Sequence, residues 1–316
     1  MRFTVLFISF IALLLMPFNP MKAQQTAQDS TGLPGDNFSL QGALEMLKTA
    51  SSPEEFEKAI NTESNHVNNL DLNGDGDIDY VRVIDKMEDK VHVFILQVPV
   101  SESENQDIAV IEIEKTGDTT AMLQIIGDED IYGEEVIIEP NGGEEATDMK
   151  KGKGPYATED PTNAVIVVNV WHWPCVHYVY APAYRPWVSP WRWHYYPVWW
   201  RPWRPFTWRV WHPYHHHYHR SYAVVHTHRV VYGPRIYRPV RTTSVTVHHR
   251  HASTVDHYRV NRTRTTVTTP RGRSATVKQT TVKGPRGNTT SVKRTTVRGS
   301  QGHVRGTKTT VTRRRH

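Results

Sequence analysis

The sequence predicts an α+β fold: two short helices packed on an antiparallel meander of about five strands, followed by a largely disordered basic region rich in Trp, His and Thr. Three observations lead there. Between residues 39 and 60 apolar residues recur at helical spacing, and from 79 to 140 five β-prone runs alternate with polar turns. Charge divides the chain: residues 24–160 hold 31 Asp and Glu against 9 Lys and Arg, whereas 161–316 hold 27 Lys and Arg against the single acid Asp256. The overall +6 therefore conceals an acidic half near −22 and a basic half near +26.

Residues 1–23 read as a secretory signal peptide. Met1-Arg2 precedes an apolar run from Phe3 to Met16, stopped by Pro17, with the small residue Ala23 at a cleavage position. The run is shorter than the ~20 residues a membrane-spanning helix needs. The expectation is an exported protein, in the periplasm, on the outer surface or secreted. Cys175 is the only cysteine, so no internal disulfide can staple the fold.

The acidic domain is expected over 37–141. Ser39 caps a helix whose stripe is Leu40, Ala43, Leu44 and Leu47. Ser52, Pro53 and the capping-box residue Glu55 then start a second helix carrying Phe56, Ala59 and Ile60. The strands are "DYVRVID", "VHVFILQVPV", "DIAVIEIE", "TAMLQII" and "EEVIIEP", joined by connections short enough for antiparallel pairing. Val83, Phe94, Val110 and Ile125 are candidate core residues. Alternation of Ile111 and Ile113 with Glu112 and Glu114 predicts one wet sheet face.

"DLNGDGDID", residues 71–79, places Asp71, Asn73, Asp75 and Asp79 at alternating positions with Gly76 at a sharp turn. Calcium needs six to eight hard oxygen ligands, roughly, and such spacing curls side chains around one centre. Arg82 stands where a complete EF-hand loop has its bidentate Glu. The stretch resembles the D-x-[DN]-x-D-G-x-x-D calcium loops of dockerin, thrombospondin type 3 and integrin-type repeat families. That resemblance implies a structural Ca²⁺ held by Asp71, Asn73, Asp75 and Asp79, with Asp77 through its carbonyl. The competing reading is an unmetallated turn, since Asn73-Gly74 and Asp75-Gly76 are strong turn dipeptides.

Residues 142–163 have linker composition, and "AVIVVNVWHW" after them reads as one further strand. In the Trp/Pro/His-rich region 164–261, all ten Trp fall between Trp171 and Trp211, interleaved with Pro and Arg. Frequent Pro excludes a long helix. Trp199, Trp200, Arg201, Trp203, Arg204, Trp208 and Arg209 combine amphipathic rings with guanidinium groups, which suits an anionic lipid surface or lipopolysaccharide. A carbohydrate platform and a strip packed on its own domain are the other readings. His215, His216, His217 and His219 crowd one window, and His226 and His228 lie two apart in an expected strand, a weak ligand set for Zn²⁺, Cu²⁺ or Ni²⁺. Residues 262–316 repeat "TTV" at 15, 15 and 14 residues around Gly-containing turns, a strand-turn-strand pattern with little to bury, read as mostly flexible.

The whole layout resembles uncharacterised exported envelope proteins of Gram-negative bacteria, which implies a compartment and no activity. Neither a nucleophile elbow nor H-E-x-x-H occurs. The reading is a non-enzymatic envelope or interaction protein with a calcium-stabilised domain and a basic aromatic tail. Its expected partners are anionic lipid, lipopolysaccharide or envelope glycan, extracellular DNA, and its own acidic domain. The alternative is an envelope hydrolase or a His-rich metal-binding protein, distinguished by a concave pocket gathering Asp, Glu or His from separate elements.

Overall fold

The computed structural model describes residues 30–141, 168–218, 221–257, 260–268, 274–283, 289–299 and 303–314. The expected signal peptide and linker lie outside the described residues. Helix α1 (Leu40–Thr49) begins where Ser39 Oγ accepts the Gly42 N–H at 3.0 Å, and it buries the expected stripe. Helix α2 (Pro53–Ile60) begins at Ser52, whose Oγ accepts the Glu55 N–H at 3.2 Å, and it buries Phe56 and Ile60. The Glu55 carboxylate reaches the Ser51 N–H at 2.8 Å, one residue before the position a capping box uses.

Strands β1 (Arg82–Glu88), β2 (Val91–Pro99), β3 (Asn105–Gly117), β4 (Thr120–Gly127) and β5 (Val136–Pro140) form the expected antiparallel meander. A short helix, α3 (Glu129–Tyr132), lies between the last two. In β2 the pleat sends Phe94, Leu96 and Val98 toward the helices and Val91, Val93 and Ile95 to the opposite face. Both sets are buried.

The basic region supplies the cover, and this corrects the expectation that it is largely disordered. It contains α4 (Pro174–Val179), α5 (Trp208–His217), β6 (Tyr222–Val225), α6 (Gly233–Tyr237) and α7 (Val245–His257). Strand β6 pairs antiparallel with β5, so the sheet has six strands in the order β1 to β6 and runs across the boundary expected at 141. Val170, Trp173, Cys175, Val176 and Val179 enter the helix-side core, while Val230, Ile236 and Tyr237 pack on the other face. Glu112, expected on a wet face, is therefore only 1 % exposed. Polar alternation marks a solvated face only while no second layer covers it. The described part of "AVIVVNVWHW" is not a strand: Val170 donates one backbone bond to the Ala121 carbonyl at 3.0 Å, and Pro174 then opens α4.

Buried polar groups tie the halves together. The Glu57 carboxylate on α2 accepts from Tyr80 Oη and Ser189 Oγ at 2.8 Å each, from the Val83 N–H at 2.8 Å and from Trp187 Nε1 at 3.2 Å. Asp85 on β1 holds His92 Nδ1 at 2.9 Å and accepts from Tyr184 Oη at 2.8 Å. Arg229 meets Glu139 at 2.6 Å and Arg241 meets Asp128 at 2.7 Å. The Thr/Arg repeats form a separate four-stranded antiparallel sheet: β7 (Val260–Thr268), β8 (Ser274–Lys283), β9 (Thr289–Arg298) and β10 (Val304–Arg314), in the order β10–β9–β8–β7. The strand-turn-strand pattern expected of the repeats is present as an antiparallel ladder, with the Thr281 and Ser291 hydroxyls 2.9 Å apart across β8 and β9.

Candidate functional site

The loop 71–79 is ordered by its own side chains. Asp71 accepts the Gly74 and Gly76 N–H groups at 2.6 and 3.0 Å, Asn73 accepts the Asp75 N–H at 2.9 Å, and Asp75 accepts the Asp77 N–H at 2.9 Å. Gly74 and Gly76 adopt φ of +73° and +89°, which a side chain would resist. Asp79 is buried and accepts the Leu72 N–H at 2.5 Å. Burial, followed by the charges of Asp71 and Asp75, pushes its carboxyl up to about 7 against the opposing Leu72 bond. The three carboxylates are thus close enough to repel, and a hard dication suits such a donor set. Nevertheless, among the described residues no group of three or more His, Cys, Asp or Glu side chains is gathered to hold a metal ion.

The Trp/Arg strip lies on this loop. The Trp203 carbonyl accepts the Ile78 N–H at 2.8 Å, and Tyr80, just past the loop, packs edge-on against Trp200 with ring centres 5.1 Å apart. Trp200 is buried, Trp203 and Trp208 are half-buried, and Arg201, Arg204 and Arg209 are exposed. Residues 192–195 turn tightly, with reciprocal backbone bonds between Arg192 and Tyr195 and His194 at φ +58°. Buried Pro197 and Trp200 anchor the next turn. Between those anchors Tyr195, Val198 and Trp199 project, 64 %, 89 % and 45 % exposed. Arg192 stacks over Tyr195 at 4.6 Å and Lys58 over Trp199 at 5.6 Å. The strip thus divides into a buried half that covers the acidic loop and an outer rim.

Of the expected histidine set, only some members fall among the described residues. His215 and His217 lie on α5, where His217 is exposed; the side chain of His216 and all of His219 lie outside the described residues. Strand β6 ends at Val225, so His226 and His228 do not share a strand face: His226 is exposed, and His228 Nε2 meets Glu135 Oε1 at 2.6 Å.

The packing of α6 over the sheet creates a cleft that sequence reasoning missed. Its volume is 440 Å³, and it brings together Glu112 from β3, Glu135 before β5, His228, Tyr237, Arg238 and Arg241. The carboxyl of Glu112 lies directly beneath Gly233, where a Cβ would collide with it. Burial, followed by the charge of Glu135, pushes Glu112 up to about 8, with Arg238 opposing. Glu112 Oε2 and His228 Nδ1 are both buried without a hydrogen-bond partner. No local signal marks Glu112, because Gly233, which covers it, and His228 and Tyr237 of the same cleft lie more than a hundred positions downstream. Comparison with protein-family models, with curated proteins and with solved structures gave no match for the chain.

Proposed function

We propose that the protein is a non-enzymatic, exported interaction protein of the cell envelope that binds anionic surfaces through the rim formed by Tyr195, Val198 and Trp199. The observation that carries this reading is the exposure of those three side chains beside the exposed Arg192, Arg201 and Arg204. Large apolar groups held outward on an anchored turn lose little conformational freedom on contact, and the guanidinium groups pair with phosphate or carboxylate at the same depth. The repeat sheet supports the same reading. No Asp or Glu follows Asp256, and a concave face of 680 Å³ exposes Lys293, Lys308 and Arg314 among Thr and Ser hydroxyls. Calcium at Asp71, Asn73, Asp75 and Asp79 would act structurally, by pinning the loop on which the strip rests.

The experiment is co-sedimentation of the protein with vesicles of phosphatidylglycerol and phosphatidylcholine, compared with phosphatidylcholine alone. Binding should require the anionic lipid and weaken with salt. Arg201→Ala with Arg204→Ala should cost roughly thirtyfold in affinity, since each cation near an anionic surface contributes ~1 kcal/mol. Trp199→Ala should weaken binding without changing its salt dependence. Equal binding to both vesicle types would reject the reading.

A further inference from the structure

The cleft beneath α6 is built from residues separate from the rim, so either site can fail without the other. Its chemistry narrows the ligand. Glu112 stands at the wall with one oxygen unpaired, and His228 is fixed by Glu135 through Nε2, leaving Nδ1 unpaired. If Nε2 carries the proton donated to Glu135, Nδ1 presents a lone pair. Val110, Ile126 and the ring of Tyr237 add apolar surface. Arg241 is already engaged by Asp128 and Asp130, at 2.7 and 2.9 Å, so it is not available for a ligand anion. Arg238 stands exposed at the rim and makes no ion pair among the described residues.

A small anion entering here meets Glu135 and Glu129, while an ammonium group meets Arg238 and a carboxyl that burial keeps protonated at neutral pH. A hydroxyl suits the site as it stands, because it both donates and accepts. It can donate to the orphaned oxygen or to the imidazole lone pair and accept from a carboxylic acid proton. Several hydroxyls on a ring with an apolar face would match the polar wall and the Tyr237 ring together. From the unpaired Glu112 and His228 atoms in one cleft with an apolar floor, we infer that this is a binding site for a neutral sugar unit, such as one residue of an envelope glycan.

The test is titration of the full chain with cellobiose, maltose and chitobiose, followed by saturation-transfer NMR and calorimetry. At least one disaccharide should bind saturably. Glu112→Gln, which stays neutral and keeps a donor and an acceptor, should retain the affinity within about threefold, whereas Glu112→Leu should weaken it roughly tenfold by leaving the sugar hydroxyl unpaired. His228→Ala, at a partly exposed position, should weaken it similarly and serves if the Leu variant does not fold. Three results would overturn the inference: no saturable binding by any of the three sugars, loss of binding in Glu112→Gln, or displacement of sugar by inorganic phosphate.

Discussion

Glu57 lies in "PEEFEKAI" among three other charged residues and looks solvated, yet it is 1 % exposed and accepts four hydrogen bonds from two segments, 80–83 and 187–189. Two donors, the Val83 N–H and Trp187 Nε1, cannot reverse, while the Tyr80 and Ser189 hydroxyls can rotate to donate or accept. Glu57→Gln should therefore cost only about 1 kcal/mol, by turning its amide toward the hydroxyls. Glu57→Ala should cost about 3–5 kcal/mol, because it strands buried donors. Urea denaturation of the two variants checks the difference. Other buried carboxyls set the pH dependence. Burial raises Asp107 to about 6, Asp79 to about 7 and Glu112 to about 8. Each binds its proton more tightly when folded, so its contribution is complete below its unfolded pKa of about 4 and is lost as pH rises through the folded value. Glu55 and Glu104 act oppositely, lowered by hydrogen bonds from Ser51 and Ser244, and lose their contribution only in acid. Thermal stability should accordingly be greatest near about pH 5 and fall by several degrees toward about pH 8.5, with Glu112→Gln flattening the upper part of the curve. A melting temperature that rises over this range would contradict the assignment.

At the level of elements, the helices and the first five strands were legible because each is specified locally. Ser39 and Ser52 cap helices whose stripes they precede, and each strand run is bounded by its own turn residues. Strand β6 was legible only in part: a strand is expected across "VVHTHRVV", but it runs Tyr222–Val225, and its pairing with the free edge of β5 is not written locally. The loop 71–79 is intermediate: its turn chemistry follows from sequence, but the placement of Trp203 and Trp200 beside it does not. Ca²⁺ at one hundred times its Kd should stabilise the full chain by about 2.7 kcal/mol if only the folded loop binds it. Differential scanning calorimetry of the wild type and Asp75→Ala, with Ca²⁺ or with chelator, measures this. No Ca²⁺-dependent rise, or an equal rise in Asp75→Ala, would leave the loop as a hydrogen-bonded turn.

For the whole molecule, the acidic and basic halves are not two bodies joined by a tether. The charge separation along the sequence is resolved by packing: Arg229, Arg241 and His228 meet Glu139, Asp128 and Glu135 at the edges of a core both halves share. A chain ending at Asn141 would lose β6, the buried Trp211 and the residues covering both sheet faces. It should bind a hydrophobic dye and unfold without a cooperative heat-absorption peak, because β2 would face water along its whole second side. A sharp, reversible transition in that truncated chain would show that the first five strands and two helices suffice. The same packing takes Arg229 and Arg241 out of the charge available to a partner and leaves Arg192, Arg201 and Arg204 exposed.

The sequence by itself determined the two capped helices, the five-stranded meander, the tight loop with its glycines, and the opposition of charge between the halves. All depend on neighbours within a few residues or on composition. Only the tertiary structure decided that Glu112 is buried, that Trp200 anchors while Trp199 projects, and that His228 faces Glu135 and not His226. Those outcomes depend on contacts between residues roughly 90 to 140 positions apart, where pattern carries no information about the partner. Frequent proline and an almost unbroken run of one charge sign suggest disorder for a segment considered alone. Laid on a sheet with an unfilled face and an unpaired edge, the described residues 168–218 and 221–257 bury enough side chains and complete enough backbone bonds to be ordered.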